Sequence, residues 1–281
     1  MTAALFDPRI CELGEGAFWH PEREQAFWFD IHGRRLLSRH EGQELEWRLD
    51  EKASAMGWID RDLVLIATET ALIRFDLRDG QHEVLTALED DQPGTRSNDG
   101  RADPRGGFWI GTMAHDASHE KGAIYRYYRG ELRKLRDKMS IPNAICFSPD
   151  GRLAYFADTA RQTVWSQELD NKGWPASEAS VFLDLTGTDE HPDGAVTDTQ
   201  GRFWNARWGS GAVVCHAPDG HVLHRLQLPP AQTTCPAFIG KDLDRLLVTS
   251  AAENLHGPQD GTSWVLECKG ARGRAEPRVL L

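Results

Sequence analysis

Polar residues with metal-ligating chemistry recur at matching places in four stretches of the chain. Glu15 stands in GEG, Asn98 with Asp99 in RSNDGRADPRGG, Asn143 in IPNAICFSPDG, and Asp193 in HPDGAVTDTQG. Each precedes its turn and inner strand by a similar interval, so four copies of one unit would bring them to one radial level at one mouth of a channel. A carboxylate, an amide carbonyl and a second carboxylate, with water completing the shell, form a hard oxygen site suited to calcium, magnesium or manganese, and zinc can use it too. Two carboxylates neutralise a dication and leave a position open for water or a substrate oxygen. Any one of these acids alone reads as a solvated turn cap or Asx turn; the recurrence across units favours the site.

The elements that must position these residues are short. Six aromatic or β-branched segments occur at 27–31 (FWFDI), 63–68 (LVLIAT), 108–113 (FWIGTM), 153–158 (LAYFAD), 203–208 (FWNARW) and 245–251 (RLLVTSA). Their spacing, roughly 35 to 50 residues, is that of propeller blades. Most are followed by a second strand candidate, such as GAIYRYY or QTVWSQEL, and the turns DPRGG, SPDG, DTQG, APDG and GKDLD fall at corresponding phases. Long amphipathic helices are nearly absent, and EKASAM at 51–56 is too short to be more than a turn of helix or a loop. A parallel βαβ architecture would need a helix of about ten residues or more between strands. The expected fold is therefore all-β, a single six-bladed β-propeller over 1–281. The segment around Phe6 to Cys11 is expected to close the last blade against the C-terminal part. Ten tryptophans fit aromatic packing between blades.

Composition narrows the function. With 43 Asp plus Glu against 32 Lys plus Arg, the net charge of −11 offers no general attraction to nucleic acid or anionic membrane. The basic stretch from Arg126 to Lys138 alternates with Leu and Tyr and reads as one solvated strand face. No apolar run approaches the ~20 residues that cross a bilayer, and MTAALFDPRICELGEG lacks the order of a signal peptide, so a cytoplasmic location is expected. Five scattered cysteines without a CxxC pair speak for reduced, buried thiols. There is no G-x-S-x-G elbow, phosphate loop or Rossmann fingerprint, so neither a serine hydrolase nor a nucleotide cofactor is implied. The histidines form no tight zinc-type cluster; His115 and His191 are the two expected to line the mouth, with His20, His32, His119 and His256 in surface or turn roles.

The stretches GEGAFWHPEREQAFWFDI, RSNDGRADPRGGFWIGTM, IPNAICFSPDGRLAYFADT, HPDGAVTDTQGRFWNARWGSGAVVCHAPDG and LPPAQTTCPAFIGKDLDRLLVTSA together resemble the senescence marker protein, gluconolactonase and luciferin-regenerating enzyme family. The resemblance runs in order from about residue 13 to 266, nearly the whole chain. It implies a six-bladed propeller with one divalent metal in the channel mouth (Ca, Zn, Mg or Mn) and hydrolysis of sugar lactones. Carried over residue by residue, the metal ligands would be Glu15, Asn143 and Asp193, the substrate-binding Arg-x-Asn pair Arg96 and Asn98, and the general base Asp193.

Under that resemblance the metal acts as a Lewis acid on the lactone carbonyl or its attacking water, and Asp193 accepts the water proton and returns it to the departing ring oxygen. The two roles of Asp193 pull against each other, because coordination lowers carboxylate basicity even as it acidifies bound water. Arg96 offers a planar fork and Asn98 both donates and accepts, a pairing that fits a small polyol. Glu120, in the SHEKG loop at 118–122, is a further expected substrate contact. Three places depart from the family pattern: GAF at 16–18 where Gly-Pro is common, Ala144 and Ile145 where Gly-Leu or Gly-Ile follows the ligand asparagine, and Arg207 where an apolar residue is usual. An Arg207 facing the channel would select an acidic substrate, whereas one pointing outward would be an ordinary surface residue. A small-molecule sugar lactone is the expected partner, with oligomeric state open. The alternatives are a metal-dependent esterase or lactonase for a non-sugar ester, with an apolar pocket, and a non-enzymatic metal-binding interaction propeller.

Overall fold

The computed structural model describes residues 3–268 and 270–281. Six four-stranded antiparallel sheets form a six-bladed β-propeller, as expected. The strands at the axis are Gly14–His20, Ala53–Trp58, Thr95–Ala102, Pro142–Phe147, His191–Thr197 and Gln232–Ile239. In the last blade the outermost strand is Ala3–Asp7, which pairs antiparallel with Ser263–Glu267 and closes the ring. The closing strand thus starts before the expected Phe6 to Cys11; the Cys11 N–H bonds instead to the Gly261 carbonyl at 2.9 Å.

The aromatic segments of the sequence are the second strands of their blades, one place out from the axis. They are the most apolar because neighbouring blades cover both of their faces. Trp109 and Trp204 occupy equivalent places in the third and fifth blades and, like Trp28, are fully buried. Trp109 meets Phe147 of the next inner strand edge to face at 5.5 Å, and Trp204 meets Phe238 in the same way at 5.9 Å. The stretch around EKASAM, expected as a turn of helix or loop, forms the inner strand Ala53–Trp58 of the second blade. Its Ala, Ser and Gly side chains are short because the axis is crowded, and short side chains leave little periodicity to read. Among the described residues the single helical element is a 3₁₀ turn at Thr159–Arg161.

Every inner strand carries a shift in register against its neighbour, between Glu15 and Phe18, Ala53 and Ala55, Ser97 and Gly100, Asn143 and Cys146, Pro192 and Ala195, and Thr233 and Pro236. Such bulges re-aim a side chain at a fixed point of a strand. Gly16 adopts φ 60°, and a Cβ there would lie 2.3 Å from the Ser54 carbonyl, so this bulge requires glycine. Ala144 takes the same left-handed conformation, φ 57°, at the equivalent place of the fourth blade, a backbone that glycine adopts without strain.

The C-terminal segment crosses the opposite end of the propeller. The Arg272 carbonyl accepts from Thr199 N at 2.8 Å, the Arg274 guanidinium donates to the Pro149 carbonyl at 2.8 Å, and the Glu276 carbonyl accepts from Trp58 Nε1 at 2.7 Å. The Glu276 carboxylate pairs with Arg101, both side chains only 9% exposed. This strap ties blades two to six together below the axis. All five cysteines are free and buried. Among the described residues, no helix is long and apolar enough to cross a membrane.

Candidate functional site

A cavity of about 450 Å³ opens at the end of the axis where the inner strands begin, and Glu15, Arg96, Asn98, Asn143 and Asp193 all line it. These residues lie on inner strands, Glu15, Asn98, Asn143 and Asp193 at the bulges and Arg96 just before one, and not in the turns that precede them. All five are buried, with exposures of 4 to 7%. Glu15 Oε2 accepts from Gly16 N at 3.1 Å and Asp193 Oδ1 from Gly194 N at 3.0 Å, so each carboxylate is fixed by the amide that follows it.

The electrostatics are unusual for a protein interior. Asp99 lies on the same level, outside the cavity lining, and its Oδ2 accepts from Ile145 N at 2.6 Å. Burial raises its carboxyl to about 6. Burial, with the charge of Asp99, pushes Glu15 up to about 8. Burial and the charges of Glu15 and Asp99 push Asp193 well above the ordinary carboxylate range. Arg96 is the buried cation beside them, and burial lowers its own pKa against the pull of Glu15 and Glu253. Asp99 has the buried Arg101 beside it, whereas Glu15 and Asp193 face Arg96, and buried acids so crowded hold protons or attract further positive charge. Among the described residues no three His, Cys, Asp or Glu side chains form a metal cage. The donor set is instead two carboxylates and one amide oxygen, a chemistry that suits a hard dication with water in the remaining positions.

Arg96 Nη1 donates to the Ser97 carbonyl at 2.8 Å and to Asn98 Oδ1 at 2.9 Å, while its Nε is buried without a partner. His115 and His191 line the cavity as expected, and so do His32, Thr159, Trp208 and Glu253, none of which was singled out for the mouth. His115 Nε2 lies 2.8 Å from Glu69 Oε1. Glu253 belongs to the AAENLHGPQDG loop, where the histidine drew attention and the acid three residues before it turns inward.

Two expected contacts differ. Glu120 lies outside the cavity lining, its side chain about half exposed and paired with Arg161 Nη2 at 2.7 Å. Arg207 faces neither the channel nor solvent; it is 1% exposed, with Nη2 2.7 Å from His216 Nε2 and Nε 3.3 Å from Glu190 Oε2. The stretch read as a solvated basic face is solvated only in part. Arg126 is fully buried on Asp103 and stacks against Trp174, its guanidinium carbon 4.2 Å from the ring centre.

The sequence matches the SMP-30/Gluconolactonase/LRE-like region over residues 13–252. A candidate sugar lactone lactonase of Rhizobium meliloti (strain 1021) is 38% identical over 279 residues, 96% of this chain and 94% of that one. An L-arabinolactonase of Azospirillum brasilense is 35% identical, covering 86% and 82% of the two chains. The crystal structure of regucalcin, a calcium-binding protein of Agrobacterium tumefaciens strain C58, superposes with a TM-score of 0.97 at 42% identity over 100% of this chain and 98% of that one. By the length of the match and the agreement of fold, the chain belongs to the SMP-30/gluconolactonase/LRE-like family.

Proposed function

We propose that the protein hydrolyses a sugar lactone to the aldonic acid with the help of a divalent cation held by Glu15, Asn143 and Asp193. The observation that carries this reading is the convergence of two buried carboxylates and one amide at the floor of a cavity with room for a sugar ring, beside the Arg96–Asn98 pair. The sugar lactone lactonase and L-arabinolactonase names of its relatives support the same substrate class. A bound dication supplies Lewis-acid polarisation of a carbonyl or water oxygen and neutralises the paired acids.

The chain's own residues do the rest. Arg96 and Asn98 hydrogen-bond sugar hydroxyls and hold the ring, since both are already oriented by protein contacts. Water adds to the lactone carbonyl carbon, Asp193 accepts its proton, and the same proton passes to the ring oxygen as the ester C–O bond breaks. Glu120 joins substrate only if its loop leaves Arg161 and turns over the mouth. A second reading, an ester less polar than a sugar lactone, draws on the apolar wall of Leu13, Met113, Ile141 and Trp208.

The test is acid release from freshly prepared pentono- and hexonolactones and a non-sugar lactone, measured against spontaneous hydrolysis. Chelated protein, protein restored with Ca, Mg, Mn or Zn, and Asp193→Asn are compared. Turnover of a sugar lactone that needs the cation and falls at least about 100-fold in the variant is expected. Cation binding without any rate above background would leave a binding propeller instead, and preference for the non-sugar lactone would favour the second reading.

A further inference from the structure

The hydrogen bonds around Asn143 run in one direction, and both ends set that direction. At one end the Arg96 guanidinium can only donate, and it does so to Asn98 Oδ1 at 2.9 Å. Asn98 therefore turns its amide nitrogen away, donating to the Pro142 carbonyl at 3.0 Å and to Asn143 Oδ1 at 3.3 Å. At the other end the Pro192 carbonyl can only accept, and it takes the Thr159 hydroxyl proton at 2.7 Å. With its one proton committed, Thr159 Oγ1 has only lone pairs to offer, and Asn143 Nδ2 donates to it at 2.8 Å. A flipped Asn143 amide would set lone pair against lone pair at Thr159 and N–H against N–H at Asn98.

Thr159 is itself held firmly. Its N–H bonds to the Ile141 carbonyl at 3.0 Å. The carboxylate of Asp158 accepts from Ser140, Ile141 and Ala160 amides at 2.8 to 3.2 Å, fixing the 3₁₀ turn to the start of the fourth inner strand. The hydroxyl so placed spans two blades, reaching Asn143 in the fourth and, in the fifth, the carbonyl of the residue before Asp193.

We propose that Thr159 is a positioning residue for the cation site, fixing the Asn143 amide so that its oxygen, and never its nitrogen, is available to a cation. This rests on the reading of Glu15, Asn143 and Asp193 as ligands. Partners of this kind, one bond removed from the metal, are commonly worth ten- to a hundredfold in affinity.

The experiment is calorimetric titration of the chelator-stripped full chain with CaCl₂ and with MnCl₂, for wild type, Thr159→Val, Thr159→Ser, Asn143→Ala and the Asn143→Ala/Thr159→Val double variant. Thr159→Val keeps the shape and removes the hydroxyl, so the dissociation constant should rise about tenfold. Thr159→Ser keeps the hydroxyl and should stay within about threefold of wild type. In the Asn143→Ala background the valine should add less than about twofold, because the partner it acts through is gone. Equal affinity of wild type and Thr159→Val, a serine variant as weak as the valine one, or an undiminished valine effect without Asn143 would each overturn the proposal. A wild type that binds neither cation would instead overturn the ligand reading and this inference with it. Cation-free melting temperatures guard against misfolding, and if Thr159→Val does not fold, Thr159→Ala carries the same expectation.

Discussion

At Ala144 two contributions of similar size oppose each other. The left-handed backbone, φ 57°, costs an L-residue about 1–2 kcal/mol. Its methyl group, fully buried in the cluster with Cys146, Tyr155 and Val164, contributes about 1 kcal/mol. Ala144→Gly should therefore change unfolding free energy by less than about 1 kcal/mol, the relieved strain offsetting the lost contact. Ala144→Val adds β-branching in a left-handed conformation and extra volume to a filled core, and should cost at least about 2 kcal/mol. Urea unfolding of both variants checks the pair; a glycine variant destabilised as much as the valine one would mean that packing outweighs strain. The residues at the bulges were legible in the sequence because four units repeat their phase. Thr159, His32 and Glu253 were not, because they come from connections between strands, whose lengths vary from blade to blade and carry no phase. Glu120 misled for the same reason: a charged loop residue near a mouth says nothing of which way its side chain turns, and here Arg161 holds it outward.

Among the elements, the second strands were the easiest to read and the inner strands the hardest. A segment such as FWIGTM is covered on both faces and is continuously apolar. TRSNDGRA and HPDGAVT line a polar channel and carry glycine, asparagine and proline, so they look like loops although they are buried strands. The C-terminal strap had no sequence signal at all, since ARGRAEPRVLL alternates nothing and gains its order from contacts with five blades. Its central contact makes a prediction. Arg101 is buried and flanked by Asp99 and Glu276. Glu276→Ala removes one of its two counter-charges and should cost about 2–4 kcal/mol of stability, the penalty of leaving a buried guanidinium partly uncompensated. Arg101→Met with Glu276→Leu, which removes both charges, should recover much of that loss. If the single variant melts like wild type, the strap is a passive cover and not a fastening of the axis.

For the whole molecule, two buried histidines set a response to acid. His20 accepts from Arg23 N–H through Nδ1 at 3.3 Å, so Nε2 carries the proton that reaches the Asp60 carbonyl at 3.0 Å. His216 has the opposite tautomer, Nδ1–H donating to the Gly220 carbonyl at 2.8 Å and Nε2 accepting from Arg207 at 2.7 Å. In each ring a second proton would face a donor, and burial holds both imidazoles down to about 4. Because the folded values lie below the ordinary 6.5, the unfolded chain binds protons first as pH falls. Their contribution is complete above pH 6.5 and is lost between 6.5 and about 4, on the order of 2 kcal/mol for each ring. His216→Gln can still accept from Arg207 through its amide oxygen and does not titrate. It should be less stable than wild type at neutral pH, and that gap should narrow by about 2 kcal/mol between pH 7 and pH 4.5, as measured by urea unfolding in chelator. A gap that stays constant over this range would mean that His216 takes up its proton at the same pH in the folded protein as in the unfolded chain, and that the pairing with Arg207 must be drawn differently.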